Sequence, residues 1–314
     1  MKLRFIFNPR SGRHRRNARL LPLLRDFISS RGLDASLVAT EGPGHATELA
    51  REAVAEGCTR IVSVGGDGTM NETAQALVGA PAALAMVPCG SGNGLALHLR
   101  LAGNPLAALE LATGGDGRIA ELDTGVVNGH PFFNAMGLGL DAEVAQAFNL
   151  LARRGLSAYA STAFRAFGRR SPERCSVTSG ARSLEIDALL IAVANSDQYG
   201  NRALIAPGAR VDDGVFDLVA VGPVGLFPAL VLGARLFLGS IDRSRHVRRM
   251  RGSRFVIERP AEGIVHTDGE IHKSGRILEI SVLPRSLRVV VPPGSPATRV
   301  AGDRLSPSFA LQLP

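Results

Sequence analysis

Glycine-flanked aspartates are the positions in this 314-residue chain where residue type and spacing could do chemistry. The first set is Gly65-Gly66-Asp67-Gly68-Thr69, which follows the apolar run Ile61-Val62-Ser63-Val64 and precedes a helix-forming stretch. A phosphate-binding turn needs backbone N–H groups aimed inward and no side chain in the way. Glycine supplies both, tolerates positive φ at Gly66, and leaves the following helix to add its positive end. Asp67 adds a carboxylate able to hold Mg²⁺ or water beside phosphate. Thr69 adds a hydroxyl that caps the helix or donates to a phosphate oxygen. The tetrapeptide alone is weak evidence, because Gly114-Gly115-Asp116-Gly117 repeats it after a helical run, without the threonine, and reads as a plain turn.

Two more loops stand in equivalent places. Asn8-Pro9-Arg10-Ser11-Gly12 and Pro88-Cys89-Gly90-Ser91-Gly92-Asn93 each lie between an apolar strand-like run and a helical pattern. Three small-polar loops on one sheet edge could surround a nucleotide. No GxxxxGK[ST] is present and no GxGxxG follows a strand, so neither the P-loop nor the dinucleotide fingerprint applies. Far along the chain, Asp268-Gly269-Glu270 follows Val265-His266-Thr267. By itself Asp-Gly is a turn signal, and His266 reads as a structural residue of a strand. A carboxylate at such a hairpin tip can also point into a cleft between domains.

The elements that must position these loops fall into two patterns. Up to about residue 120, strands at residues 3–7, 33–40, 60–64 and 82–87 alternate with helices at 16–30, 45–56, 69–78 and around Leu95. That alternation predicts βαβ units and a parallel sheet whose strand ends gather the loops on one edge. After Glu121 the pattern turns to short strands, beginning with a hairpin on Asn128-Gly129. Further runs at 183–194, 215–221, 254–257, 263–266, 276–282 and 287–291 predict an antiparallel β-sandwich, interrupted by helical stretches at 143–167 and 227–237. The expected fold is α/β plus β: a Rossmann-like parallel-sheet domain followed by a β-sandwich domain. The expected division is residues 1–122, 123–290 and a tail at 291–314, with a return of that tail to the N-terminal domain left open.

Composition narrows the partners. The chain is 45% hydrophobic and 20% charged, enough apolar material for a core in each domain. Trp is absent and aromatics are 5%, which argues against a single-strand nucleic-acid reader built on stacking, and no nucleic-acid reader motif appears. A net charge of +8 suits nucleotides or an acidic membrane surface. Cys58, Cys89 and Cys175 are odd in number and widely spaced, indicating neither a disulfide framework nor a zinc site. The N-terminus does not read as a signal peptide, and the apolar stretch at 222–239 is broken by Pro223, Pro228, Gly233 and Arg235. A cytoplasmic, peripherally membrane-associated protein is expected.

The four motifs Asn8–Gly12 (NPxSG), Gly65–Glu72 (GGDGTxNE), Pro88–Ala96 (PxGSxNxLA) and Asp268-Gly269-Glu270 (DGE), in that order, resemble the catalytic fold of diacylglycerol and sphingosine kinases. The resemblance implies an α/β domain holding ATP with Mg²⁺, a β-rich domain holding a lipid, and transfer of phosphate to a lipid hydroxyl. It implies that Asp67, Gly65, Gly66, Gly68 and Thr69 line the phosphates. Asn8, Ser11, Gly12, Gly90, Ser91, Asn93 and Glu270 would complete the nucleotide pocket, and Asp268 would be the general base. Asp123 would sit near Mg²⁺, and Asp213, in Asp212-Asp213-Gly214, would be a ligand of a structural metal. Gly90-Ser91-Gly92-Asn93 departs from the diacylglycerol-type GTxND towards the sphingosine kinase pattern, which leaves the acceptor open between diacylglycerol and a sphingoid base.

Two other readings stand beside this one: a soluble NAD kinase-like small-molecule kinase, and a non-catalytic lipid-binding protein on the same fold. A lipid substrate also calls for membrane contact. Leu226, Phe227, Leu230–Leu232 and Leu236–Leu238, followed by Arg243, Arg245, Arg248, Arg249, Arg251 and Arg254, form an apolar surface beside a cationic cluster suited to an anionic leaflet. A lesser candidate is Leu150, Leu151 and Leu156 with Arg153 and Arg154. A homodimer is left open.

Overall fold

The computed structural model describes residues 1–12, 14–101, 103–114, 116–149, 156–168 and 171–297. The first half alternates as the sequence pattern predicts. It runs β1 (Leu3–Phe7), α1 (His14–Ser30), β2 (Ala35–Ala39), α2 (His45–Ala55), β3 (Arg60–Gly65), α3 (Asp67–Gln75), β4 (Ala83–Pro88), α4 (Gly94–His98) and α5 (Pro105–Thr113). Strands β1 to β4 pair in parallel in the order β2-β1-β3-β4. Both faces are covered, so the strands are apolar on both sides. Ile6, Ile61, Leu84 and Met86 face α2 to α4, while Phe5, Val62, Val64 and Val87 face α1 and α5. Helix α5 shows the local logic of a helix start: Asn104 Oδ1 accepts the Leu106 N–H at 3.0 Å, and Pro105 fills the first helical position.

The second half adds β5 (Arg118–Val127), β6 (His130–Phe132), β7 (Ala135–Gly139), α6 (Leu140–Asn149), α7 (Leu156–Phe167), β8 (Glu173–Ser179), β9 (Arg182–Ala188), β10 (Leu190–Ala194), β11 (Phe216–Val221), α8 (Leu226–Phe237), β12 (Val247–Gly252), β13 (Arg254–Glu258), β14 (Gly263–Thr267), β15 (Glu270–Ser274) and β16 (Ile277–Val291). The first sheet continues from β4 through β16 to β13, β8 and β9, with β5 and β6 alongside. A second sheet has the order β12-β11-β10-β7-β14-β15. The two stack over a core containing Phe132, Phe216, Phe255, Ile191, Ile257 and Ile280. The fold is thus a parallel-rich α/β part joined to an antiparallel β-sandwich. Helices α6 to α8 and the chain at 199–209 cover the outer face of the second sheet around Leu190, Val224 and Leu232.

Several expectations change. The run at 183–194 is two strands in different sheets, because the chain crosses the sandwich at Leu189. The runs at 276–282 and 287–291 are one strand, β16, irregular between Leu283 and Leu287. That strand pairs in parallel with β4 and antiparallel with β13, so it ties the two halves together. The helical stretch at 143–167 is two helices, with 150–155 outside the described residues; the Leu150, Leu151, Arg153 and Arg154 candidate lies there. The Asn128-Gly129 hairpin forms as expected, with φ of 46° and 85° in the two turn residues. Beyond β16, Arg100 and Arg118 donate to the carbonyls of Gly294 and Ser295. The rest of the tail, residues 298–314, lies outside the described residues.

Candidate active site

Three loops leave the carboxyl ends of β1, β3 and β4 and pack on one another. Asn8 Nδ2 donates to Thr69 Oγ1 at 2.9 Å, joining the first loop to the second. Cys89 N–H donates to the Gly65 carbonyl at 2.7 Å, joining the third. A Cβ on Gly90 would stand 2.7 Å from the Gly66 Cα, and one on Gly66 would stand 3.3 Å from Ser11 Oγ. Here glycine is required by close approach. Gly66 has φ of −98°, so the expectation that it needs a left-handed backbone does not hold. Asn93 does take that conformation (φ 52°), and its amide brackets Gly90 by accepting its N–H and donating to its carbonyl. A cavity between the loops is lined by Gly65, Gly66, Asp67, Met70, Pro88 and Asn93.

Asp67 opens α3, and its carboxylate accepts the backbone N–H of Asn93 (2.8 Å) and of Gly94 (2.9 Å). It therefore clamps the third loop to the second. Burial pushes its carboxyl above the ordinary range, against the pull of those N–H donors. Each oxygen carries one N–H and keeps a lone pair, a donor set that fits a hard dication arriving with phosphate. Gly68, Ser91 and Gly12 are exposed around this clamp.

Asp268 reaches the same helix from the second domain. It occupies the first position of a two-residue hairpin turn between β14 and β15, with φ of 52°, followed by Gly269 at 91°. The Asp-Gly turn forms, and it aims the carboxylate inward onto the β6–β7 backbone. Oδ1 accepts the N–H groups of Asn134 and Ala135, each at 2.9 Å. Oδ2 accepts the Phe133 N–H and Asn71 Nδ2, each at 2.8 Å. Asn71 is one helical turn after Asp67 on α3. Burial raises the Asp268 carboxyl, opposed by these four donors.

Behind it lies a network that sequence reasoning did not find. His266 Nε2 sits 3.0 Å from Asp141 Oδ2, which also accepts the Tyr199 hydroxyl at 2.6 Å. The Gly269 N–H donates to His266 Nδ1 at 3.3 Å. Gly137, opposite His266 in β7, leaves the room: a Cβ there would overlap the Asp141 carboxylate. Burial disfavours the imidazolium, but Asp141 and Asp268 outweigh it and hold the His266 pKa above its usual value. Asn195 was missed as well; its Nδ2 donates to the carbonyls of Asp123 and Phe133, each at 2.8 Å. Single buried asparagines carry no pattern of their own, so only the contacts reveal Asn71 on α3, Asn134 between β6 and β7, and Asn195 just after β10.

Other expected residues stand apart from this cluster. The Asp123 carboxylate accepts the N–H groups of Gly214 (2.6 Å) and Arg285 (2.8 Å). It orders the turn at Asp212–Gly214. Asp213 lies 2.5 Å from Arg251 and accepts the Val215 N–H. A guanidinium on that carboxylate does not fit a bound metal. Among the described residues no three His, Cys, Asp or Glu side chains cluster to hold one. The metal expectation at Asp213 and Asp123 is therefore not met by this geometry. Glu270 is exposed at the start of β15.

A glycine-loop α/β domain sharing a helix contact with a β-sandwich aspartate defines a class, and the comparisons agree. Residues 2–127 match the diacylglycerol kinase catalytic domain model, and residues 134–291 match the YegS C-terminal NAD kinase beta sandwich-like domain model. A probable lipid kinase YegS-like of Pseudomonas aeruginosa (strain UCBPP-PA14) is 33% identical over 273 residues, covering 85% of this chain and 88% of that protein. A probable lipid kinase YegS of Escherichia coli O17:K52:H18 (strain UMN026 / ExPEC) is 29% identical over 280 residues, 87% of this chain and 91% of that one. A crystal structure of a diacylglycerol kinase from Bacillus anthracis str. Sterne shares the fold with a TM-score of 0.71, at 22% identity over 94% of this chain and 98% of that one. The chain belongs to the YegS-like, diacylglycerol kinase-type lipid kinase family, a kinase family and hence one that uses ATP. Among the described residues no helix is long and apolar enough to cross a membrane.

Proposed function

We propose that this chain transfers the γ-phosphate of ATP to the hydroxyl of a lipid, with Asp268 as general base. The observation that carries this is the Asp268 carboxylate bonded to Asn71 on the helix that begins at Asp67. It brings the one candidate base of the β-sandwich to the phosphate loops of the α/β domain. The N–H groups at the start of α3 and the Thr69 hydroxyl, which accepts from Asn8 and keeps its proton to donate, face the triphosphate. Asp67 would hold Mg²⁺ delivered with the nucleotide, which neutralises charge on the phosphates when bound.

In the transfer, the acceptor oxygen forms a bond to the γ-phosphorus as its proton passes to Asp268. The bond from that phosphorus to the β,γ-bridging oxygen breaks, and ADP leaves with the electron pair. All four in-plane lone pairs of Asp268 are already engaged, three by backbone N–H groups fixed in the β6–β7 turn. The Asn71 amide is the one side-chain donor of the four, itself held by Gln75 Nε2 on its oxygen, so it is the donor the acceptor hydroxyl displaces on Oδ2. The acceptor class is diacylglycerol or a sphingoid base. The test is transfer from γ-labelled ATP into chloroform-extractable product across a panel of both classes, with the product identified by mass. Label found only in the aqueous phase would replace this reading with a soluble-substrate kinase, and no ATP consumption with any lipid would replace it with a binding protein.

A further inference from the structure

Helix α8 breaks the rule that governs surface helices. Leu232 is buried, and Pro228, Ala229, Arg235 and Leu236 are half-buried, which marks the face set on the second sheet. The opposite face ought to be charged. Instead it presents Phe227 (77% exposed), Leu230 (59%) and Phe237 (44%), with Leu238 at 78% just beyond the helix end. Arg235 is the single charged residue in its twelve. A helix apolar all round belongs inside a protein or against lipid. Nearby α7, whose Ala163 and Phe167 pack towards Val224 just before α8, exposes Phe164 as well.

Cations frame this face. His246 binds the Pro223 carbonyl at 3.1 Å, and the Gly222 N–H donates to the His246 carbonyl, so the chain at 244–248 is fixed beside the entry of α8. The turn at Ile241–Arg243 packs against its exit. Arg243, Arg245 and Arg248 are exposed on these two supports, and among the described residues none is paired with a carboxylate. Asp242, the acid beside them, is 3.9 Å from Arg249, which is already bonded to Asp217.

We propose that α8 is a membrane-docking element. Phe227, Leu230 and Phe237 enter the acyl boundary of an anionic leaflet, and Arg243, Arg245 and Arg248 take up its headgroup charge. The arrangement is that of an interfacial helix with a basic rim. It rests on the lipid-kinase reading only in that such an acceptor resides in a bilayer.

The test is flotation of the full chain, without nucleotide, with phosphatidylcholine vesicles that contain or lack phosphatidylglycerol. The wild type floats with the anionic vesicles and is released by high salt. Phe227→Ser with Leu230→Ser lowers the partition at least about tenfold, and Arg243→Gln, Arg245→Gln and Arg248→Gln each lower it about fivefold. These side chains are exposed, so the variants melt with the wild type, and they keep wild-type turnover on a detergent-dispersed acceptor. Equal flotation of wild type and variants overturns the proposal. So does a wild-type dimer in sedimentation that Phe227→Ser converts to monomer without a change in vesicle binding, since a second copy would then cover the face. A chain that floats but phosphorylates no lipid sinks the kinase reading alone; an active lipid kinase that does not float sinks this one alone.

Discussion

Asn71 and Asp268, 197 positions apart, meet through a 2.8 Å bond between an amide on the phosphate-loop helix and a carboxylate on a β-sandwich hairpin. Removing a donor from an ionised carboxylate raises its pKa by about one to two units. Asn71→Ala should therefore move the acid limb of the kcat/KM–pH profile, which reports the free enzyme, upward by that amount, while kcat on the alkaline plateau stays within about tenfold of wild type. Asn71→Asp sets a second carboxylate against the first and should move the limb further. A profile unchanged in both variants would detach Asn71 from the base.

Asp268 itself sets two opposed pH trends. Its folded pKa is raised, chiefly by burial. A base must be ionised, so turnover should fall as pH drops through a limb lying above the ordinary carboxylate value of about 4. The raised pKa also means that ionisation costs the fold. Stability is fullest below the unfolded pKa and declines as pH rises through the folded one. Asp268→Asn should cut turnover by about a hundredfold or more with nucleotide affinity nearly intact, and should flatten the pH dependence of Tm across that window. Isothermal titration with ATP, single-turnover kinetics and melting curves at several pH values check the three parts together.

Glycine in the loops acts through contact distance. Gly90→Ala would put a methyl 2.7 Å from the Gly66 Cα, where only backbone can yield. Gly66→Val adds a branched side chain against Gly90 and Ser11. Both should spread the loops and weaken nucleotide binding about tenfold or more, roughly the effect of losing one well-made charge-assisted contact. Gly68→Ala meets no protein atom within 4 Å and should melt as wild type does, so any loss of nucleotide affinity there comes from crowding the phosphate and not from spread loops. Nucleotide affinity and Tm measured together on the three variants are the check.

What the sequence made legible was whatever a single stretch encodes. The glycine loops stood out because their spacing after apolar strands is local, and Asp268-Gly269 because a two-residue turn is local too. Strand β12 was hidden: Val247-Arg248-Arg249-Met250-Arg251-Gly252 pairs with β11 at a sheet edge, where arginine is tolerated, and so read as a charge run. Strand β7, Ala135-Met136-Gly137-Leu138-Gly139, has Gly137 because Asp141 and His266 need the space, and Gly139 because its φ is 76° and the Leu189 carbonyl stands close. It is not among the runs that the sequence pattern marks as strands. The crossing at Leu189 has no turn residue to mark it. Asn71 sat inside a recognised motif, but its partner lies in the other half of the chain, and no spacing rule predicts that contact.

The His266–Asp141 pair gives the last and sharpest sign. Its stability contribution follows the protonated imidazole: full below the ordinary histidine pKa of about 6.5, and lost as pH rises through the raised folded value. Asp141→Asn removes the charge that raises it and leaves the Tyr199 hydroxyl an acceptor. The Tm difference between wild type and Asp141→Asn should therefore be largest near pH 6 and shrink towards pH 9. Because the His266 charge also faces Asp268, the same variant weakens a positive charge beside the base. It should lower kcat by about tenfold with little change in the KM for ATP. A pH-independent Tm gap with unchanged kcat would reduce the pair to packing. A gap that closes with rising pH, together with a kcat-only loss, makes it an electrostatic support for the base.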